Sequence, residues 1–255
     1  MEYMKIYNVL WTGGLDSTFR IAELSLLDCE IQPYYIIDKG RKSTSNEMKA
    51  MSKIRQSLLN KPSTKAKINN VKFVEGDSIP VNEIITNSYI RLKNKYKLGS
   101  QYELFARYAS DANIILEIGS ELSQRGRIDD VLESESMLLI NPNDDTEYII
   151  NQSESTEDAR NLFVHIAFPV FMSNLTKEME VDWLKEHNFF DIALMTWFCH
   201  DPVCGKYPCG HCNPCKDALN EGMEWRVPYI GRILGAFRLY LIKYPRRIYK
   251  RIFRK

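Results

Sequence analysis

Three cysteines in the segment CGHCNPC, Cys209, Cys212 and Cys215, are spaced so that three thiolates can surround one point. A CxxC turn delivers two sulfurs to one ion without strain, and here two such turns share Cys212. Zinc suits this donor set, because it takes four ligands tetrahedrally with sulfur at ~2.3 Å. Cys199 can close the shell. Cys204 competes with it for the fourth position, and His200 or His211 could replace a thiolate. The alternative, a pair of disulfides, needs an oxidising compartment to which nothing else in the chain points. A closed four-thiolate site is structural, so the cysteines alone name no reaction.

A second constellation lies near the amino end. Thr12-Gly13-Gly14-Leu15-Asp16-Ser17 follows an apolar, β-branched run from Ile6 to Trp11 and precedes a segment of helix-forming composition. Glycines at 13 and 14 let the backbone turn tightly and approach an anion with no Cβ in the way. The hydroxyls of Thr12 and Ser17 can donate to phosphate oxygens, and the helix starting near Asp16 adds its positive end. Diphosphate is the expected guest. No lysine follows the glycines, so this is not a Walker loop.

The elements that would position these residues alternate along the chain. After the first strand and helix, an apolar run from Tyr34 to Ile37 stops at Asp38-Lys39-Gly40. Thr44 with Glu47 then forms a capping-box pattern ahead of Met48, Met51, Ile54 and Leu58 at helical spacing. Val71 to Val74 predicts a third strand. Tyr102 to Ala112 predicts a helix with Leu104, Phe105, Tyr108 and Ala112 on one side, and Ile114 to Ile118 a fourth strand ending in Gly119. Residues 141–158 read as irregular surface. Leu162 to Phe168 then predicts a fifth strand, and Thr176 to His187 a helix with Leu175, Met179 and Trp183 in line. Such alternation predicts an α/β fold, a doubly wound and mostly parallel sheet with helices on both faces. In sheets of this kind ligands collect at the carboxyl ends of the strands, where the glycine turn falls.

At 255 residues and 44% hydrophobic, the chain can bury a sizeable core. Neither a basic leader with an apolar run nor a stretch of ~20 apolar residues occurs, so a cytoplasmic location is expected. Charge is divided unevenly. Residues 1–225 hold 24 basic and 33 acidic residues, whereas 226–255 hold ten basic and none acidic. Within that end, Ile230, Ile233, Leu234, Phe237, Leu241 and Tyr244 form one helical stripe, and Pro245 ends the run before RRIYKRIFRK. A basic amphipathic end suits nucleic acid, an anionic membrane surface or an acidic protein; alternatively the stripe packs on the domain and the charges are solvated.

Taken together, the motifs resemble those of the PP-loop ATP pyrophosphatases, whose SGGxDS signature TGGLDS matches with Thr12 for serine. Within that superfamily the chain is most similar to the 7-cyano-7-deazaguanine synthase family of queuosine biosynthesis. Asp38, Gly40 and Arg41, then Glu47 and Ala50, fall at that family's motifs, as do Ile118-Gly119, Pro169, Leu175-Thr176-Lys177, Thr196-Trp197-Phe198-Cys199 and CGHCNPC. LGSQYELFARY and ELSQRGRIDD stand where the family has segments for its deazapurine pocket, and they do not match. The resemblance, which covers roughly residues 5–220, implies a PP-loop nucleotide-binding domain over 1–195 and a zinc knuckle over 196–225; the basic amphipathic tail over 226–255 lies beyond it.

It also implies an ATP-dependent carbon–nitrogen ligase that uses ATP with Mg²⁺ to adenylate a carboxylate and form an amide or nitrile; the alternatives are a diverged relative that joins a deazapurine-like acid to a macromolecular acceptor and a non-catalytic nucleotide-binding module. Thr12, Gly13, Gly14 and Ser17 would hold phosphates, with Lys177 as the cation and Asp16 anchoring the loop or holding the metal through water. Asp38 and Gly119 would lie beside the adenosine. Cys199, Cys209, Cys212 and Cys215 would bind a structural Zn²⁺. The partners expected are a small carboxylic acid with ammonia or an amine, an anionic partner for the tail, and a second copy in a homodimer.

Overall fold

The computed structural model describes residues 4–119 and 127–243. Its strands are β1 (Ile6–Leu10), β2 (Glu30–Ile37), β3 (Lys67–Ile68), β4 (Lys72–Glu75), β5 (Leu116–Ile118), β6 (Leu138–Asn141), β7 (Asp144–Ile150) and β8 (Ile166–Pro169). They join in one sheet of order β3-β2-β1-β5-β8-β7-β6, with β4 also on β2. Pairing is parallel from β3 and β4 through β8 and antiparallel for β8–β7 and β7–β6. The fold is α/β with a mostly parallel sheet.

Alternation of side chains along the central strands divides the interior in two. Val9, Ile31 and Tyr35 face one core, while Leu10, Tyr34 and Ile36 face the other. The first core is covered by α1 (Leu15–Ser25) and α2 (Thr44–Leu59). The second lies under α3 (Glu83–Tyr96), α4 (Gln101–Asp111), α5 (Arg127–Glu135) and α6 (Glu157–Phe163). Beyond β8 come α7 (Lys177–Glu186) and α8 (Phe190–Met195), which return to the first core, then α9 (Asn213–Asn220) and α10 (Tyr229–Phe237), which continues as a π-helical turn over Arg238–Lys243.

Helix α1 is buried on nearly every side, with only Asp16 and Glu23 outside its buried set. One of those buried residues is Arg20, fully enclosed, which donates to Glu117 of β5 from Nε and again from Nη2 at 3.1 Å, and from Nη1 to Glu23 at 2.8 Å. Its guanidinium is held above the ordinary arginine range despite burial, because Glu117 and Glu23 oppose the desolvation. This ion cluster fixes the first helix over β5.

Several elements differ from the sequence expectation. Residues 141–158 are not irregular, since β7 occupies Asp144–Ile150 and pairs with both β6 and β8. The acidic DDTE start hid this strand, whose Glu147 turns inward, where Lys5 and Arg20 partly offset its burial. Leu162 and Phe163 end α6, so the fifth predicted strand begins only at Ile166. The Thr44–Glu47 capping box does not form. Ser43 is the N-cap residue of α2, and its hydroxyl donates to Glu47 Oε1 at 2.7 Å. In α4 the buried face is Ala106 and Ala109, whereas Ala112 is exposed. In α7 Met179 points outward, while Glu180, Val181 and Leu184 are buried. Among the described residues, no helix is long and apolar enough to cross a membrane.

Candidate functional site

Chain order reverses at β1. From it the chain runs through β2 to β3 and β4 on one side, then returns to β5 on the other, making the carboxyl ends of β1 and β5 the switch point of the sheet. Crevices form at such points because the loops leave in opposite directions. The glycine turn sits there. Gly13 adopts φ +69°, which strains any L residue, and a Cβ would come within 3.1 Å of the Glu47 carbonyl. Gly14 is the N-cap residue of α1. Thr12 N donates to Ser17 Oγ at 3.3 Å, and Gly14 N reaches Thr12 Oγ1 at 3.4 Å. The turn is thus folded around the two hydroxyls that the sequence singled out. Gly119 completes the approach: a Cβ there would lie 3.1 Å from Ser17 Cα, a tight contact that would press α1 away from the end of β5.

Around this turn lie three connected recesses that share Arg41 and His200. The first, of about 400 Å³, is lined by Thr12, Gly14, Ser17 and Gly119, with Gln101, Tyr102 and Phe105 of α4 opposite. The second, about 210 Å³, adds Lys177, Trp197, Phe198 and Arg226. Asp38 lies in the third, of about 440 Å³, with Gly40 and Lys42. There its Oδ1 accepts from Gly40 N at 2.8 Å, which makes it a turn residue. Thr12, Gly13, Gly14, Asp16, Ser17, Gly119 and Lys177 lie around the turn, while Asp38 stands in the adjoining recess.

Lys177 opens α7 and donates to Asp16 Oδ1 at 2.7 Å, so the cation is carried to the turn by an ion pair. Asp16 is in the first helical turn and is not the N-cap residue. Two arginines join them. Arg41 donates from Nε to Glu47 Oε1 at 2.8 Å, and Glu47 is itself buried and fixed by Tyr35 Oη at 2.6 Å. Arg226 is buried, with its guanidinium 4.3 Å from the Phe198 ring and Nη2 donating to Thr196 Oγ1 at 3.0 Å. Burial pushes it down to about 10, against the pull of Asp16, Glu180 and Glu221. Sequence reasoning placed Arg41 only as a motif match and missed Arg226. The lone signal was an arginine just after Trp225, which says nothing of burial.

The metal centre lies behind the turn. Sγ atoms of Cys199, Cys209, Cys212 and Cys215 lie within 4.8 Å of one another, with Cys209–Cys215 at 4.0 Å and Cys212–Cys199 at 3.9 Å. A tetrahedron with 2.3 Å arms has edges of ~3.8 Å, whereas a disulfide would need ~2.05 Å. All six cysteines are free thiols. Backbone amides of Cys209 and Cys212 donate to the sulfurs of Cys199 and Cys209 at 3.2 and 3.3 Å, which helps carry thiolate charge. The four cysteines can therefore hold a metal ion such as zinc. Cys204, exposed and at φ +53°, is outside the cluster, and Cys199 supplies its fourth sulfur. The two histidines are outside it too, and His211 Nδ1 sits 2.9 Å from the Cys209 carbonyl.

Metal centre and turn are joined by one short segment. Trp197 N donates to the Gly13 carbonyl at 2.8 Å, and its indole Nε1 to the Cys199 carbonyl at 2.9 Å. No family model matches the chain, and a search of curated proteins finds no relative of it.

Proposed function

We propose that the chain is a PP-loop enzyme, an ATP-dependent carbon–nitrogen ligase of the 7-cyano-7-deazaguanine synthase type. The observation that carries this reading is the glycine turn at the sheet's switch point, ringed by Lys177, Arg41 and Arg226 and backed by a cysteine centre fit for zinc. Three cations around one hydroxyl-lined turn suit a polyphosphate, because its charge grows on the leaving diphosphate as the α-phosphorus is attacked. In this reading a carboxylate oxygen attacks that phosphorus and diphosphate departs. Nitrogen then attacks the acyl carbon, and AMP leaves with the electrons of the broken C–O bond to give an amide. A second adenylation, on the amide oxygen, would let AMP depart again and leave a nitrile.

Thr12, Ser17 and the Gly14 amide would donate to the diphosphate. Lys177 would move from Asp16 to the phosphates, releasing that carboxylate toward a water of the Mg²⁺ shell. Glu47 would keep Arg41 aimed at the cleft. The ion at Cys199, Cys209, Cys212 and Cys215 would be structural, supplying rigidity and no chemistry.

Incubation with ATP, Mg²⁺, 7-carboxy-7-deazaguanine and ammonia should release AMP and diphosphate and convert the acid. Turnover with another acid alone would replace the named substrate and keep the chemistry. No ATP cleavage and no nucleotide binding would overturn the reading. A second reading, transfer of a deazapurine-like acid to a macromolecular amine, is favoured by the α4 wall: Gln101, Tyr102 and Phe105 face the cleft where the resembling family has different residues. Intact mass spectrometry of candidate acceptors decides between the two.

A further inference from the structure

Among the described residues, the apolar stripe of α10 turns away from the domain except at Leu234. Helix α10 meets the cysteine knuckle through glycines: a Cβ on Gly231 would fall 2.3 Å from the Pro208 carbonyl oxygen, and one on Gly235 1.9 Å from that of Cys209. Only Leu234 of the predicted stripe leans on the knuckle. Arg238 latches the same side, donating to the carbonyls of Pro202 and Asp201 at 2.8 and 2.6 Å. The opposite side carries Tyr229, Ile230, Ile233, Phe237, Tyr240 and Leu241, all exposed, Phe237 at 59% and Leu241 at 60%. On a helical wheel they occupy an arc of roughly 120° that contains no charge. Tyr244, the last residue of the stripe, lies outside the described residues.

We propose that this face is a docking surface for an anionic lipid bilayer, held parallel to the membrane plane. Six large apolar and aromatic side chains displayed together on a rigidly seated helix have the composition of an interfacial element, with two tyrosines suited to the headgroup boundary. Charge selects the occupant. Beyond Arg226, Arg232 and Arg238, which bond within the protein, residues 239–255 hold seven basic and no acidic residues, so a headgroup layer of negative charge complements them. A second copy would bring two such basic ends together, and nucleic acid would leave the uncharged arc with nothing to bind. The surface is separate from the cleft around the glycine turn, and its occupancy needs no turnover there.

The test uses the full zinc-loaded chain in sedimentation with vesicles of phosphatidylcholine alone or with roughly a third phosphatidylglycerol. Binding is expected to the anionic vesicles only and to weaken with salt. The double variant Ile233→Glu, Phe237→Glu should weaken it by about tenfold or more while zinc content and circular dichroism stay unchanged. Should that variant misfold, the change of Arg246, Arg247, Lys250 and Arg251 to Gln tests the same claim through charge alone. Equal binding to neutral vesicles, binding indifferent to both sets of changes, or absence of binding alongside a dimeric mass or retention of RNA would overturn the proposal.

Discussion

The amide of Trp197 donates to the carbonyl of Gly13 at 2.8 Å, so the strand of chain that enters the cysteine centre also closes the glycine turn. Two residues further on, Cys199 is fully buried and supplies one of the four clustered sulfurs that can hold a metal ion. Order in the metal centre is thereby transmitted to the turn through a two-residue lever. Any change that frees the Cys199 sulfur loosens the donor that holds Gly13 at positive φ.

Zinc removal should therefore be felt at both places. Purified protein is expected to hold one zinc per chain by atomic emission, and Cys209→Ser to lose it. Structural zinc sites contribute several kcal/mol to folding, so Tm should fall by roughly 10 °C or more in the variant. An unchanged Tm in metal-free protein would refute a structural role.

The turn itself is tested by Gly13→Ala and Ser17→Ala. Alanine at 13 must hold a left-handed backbone beside the Glu47 carbonyl, which costs on the order of 1–3 kcal/mol and lowers Tm. Serine 17 is a partner of Thr12, and its loss should weaken diphosphate or ATP binding by about tenfold in calorimetry with little change in stability. Equal affinity in both variants would move the nucleotide site elsewhere.

Arg226 separates binding from stability. Its burial opposes its charge, so Arg226→Met removes a desolvated cation and should leave Tm unchanged or raised. The same change deletes a cation from the wall of the cleft, and ATP affinity should drop by about tenfold. A large fall in Tm without loss of affinity would make Arg226 a packing residue only.

Removing one partner of the interior ion cluster should be severe. Glu117→Gln strips the charge that accompanies fully buried Arg20, and a loss of ~3–5 kcal/mol is expected in urea unfolding. The double change of Arg20 and Glu117 to Met and Leu should recover part of it.

Acid lability follows from Asp158. The Arg91 guanidinium donates to it at 2.9 Å and holds its carboxyl below the usual 3.8. Its contribution is thus fully present above pH 3.8 and is lost as pH falls through the lower folded value. The Tm gap between the wild type and Arg91→Gln should be small, constant from pH 7 to about 5, and vanish in stronger acid. A gap that widened on acidification would contradict this pairing.

Much of this was written in local sequence. Apolar runs at β1, β2 and β5 specify strands because parallel central strands are buried on both faces and favour continuous apolar composition, whereas β4, at the sheet's edge, is mostly exposed. Cysteine spacing named three ligands, and the turn residues Thr12 to Ser17 were legible from glycine freedom and hydroxyl chemistry. Other features depend on partners remote in the chain. Strand β7 was hidden because Glu147 is buried only where Lys5 and Arg20 lie beside it. Nor could composition choose Cys199 over Cys204, a choice set by which sulfur the folded loop turns inward. Arg226 became part of the cleft only once Phe198 lay under it.

The direction of the terminal stripe is the sharpest case. Periodicity fixes which side chains share a face, but burial depends on which face touches the body, and that is settled by the smallest residues. Gly231 and Gly235 allow the helix backbone to lie against Pro208 and Cys209 at distances that any side chain would forbid. The large apolar residues are consequently turned away from the protein. Residue type determined the stripe, and only the tertiary contact decided that it faces outward, because close backbone packing favours the face with nothing to bury.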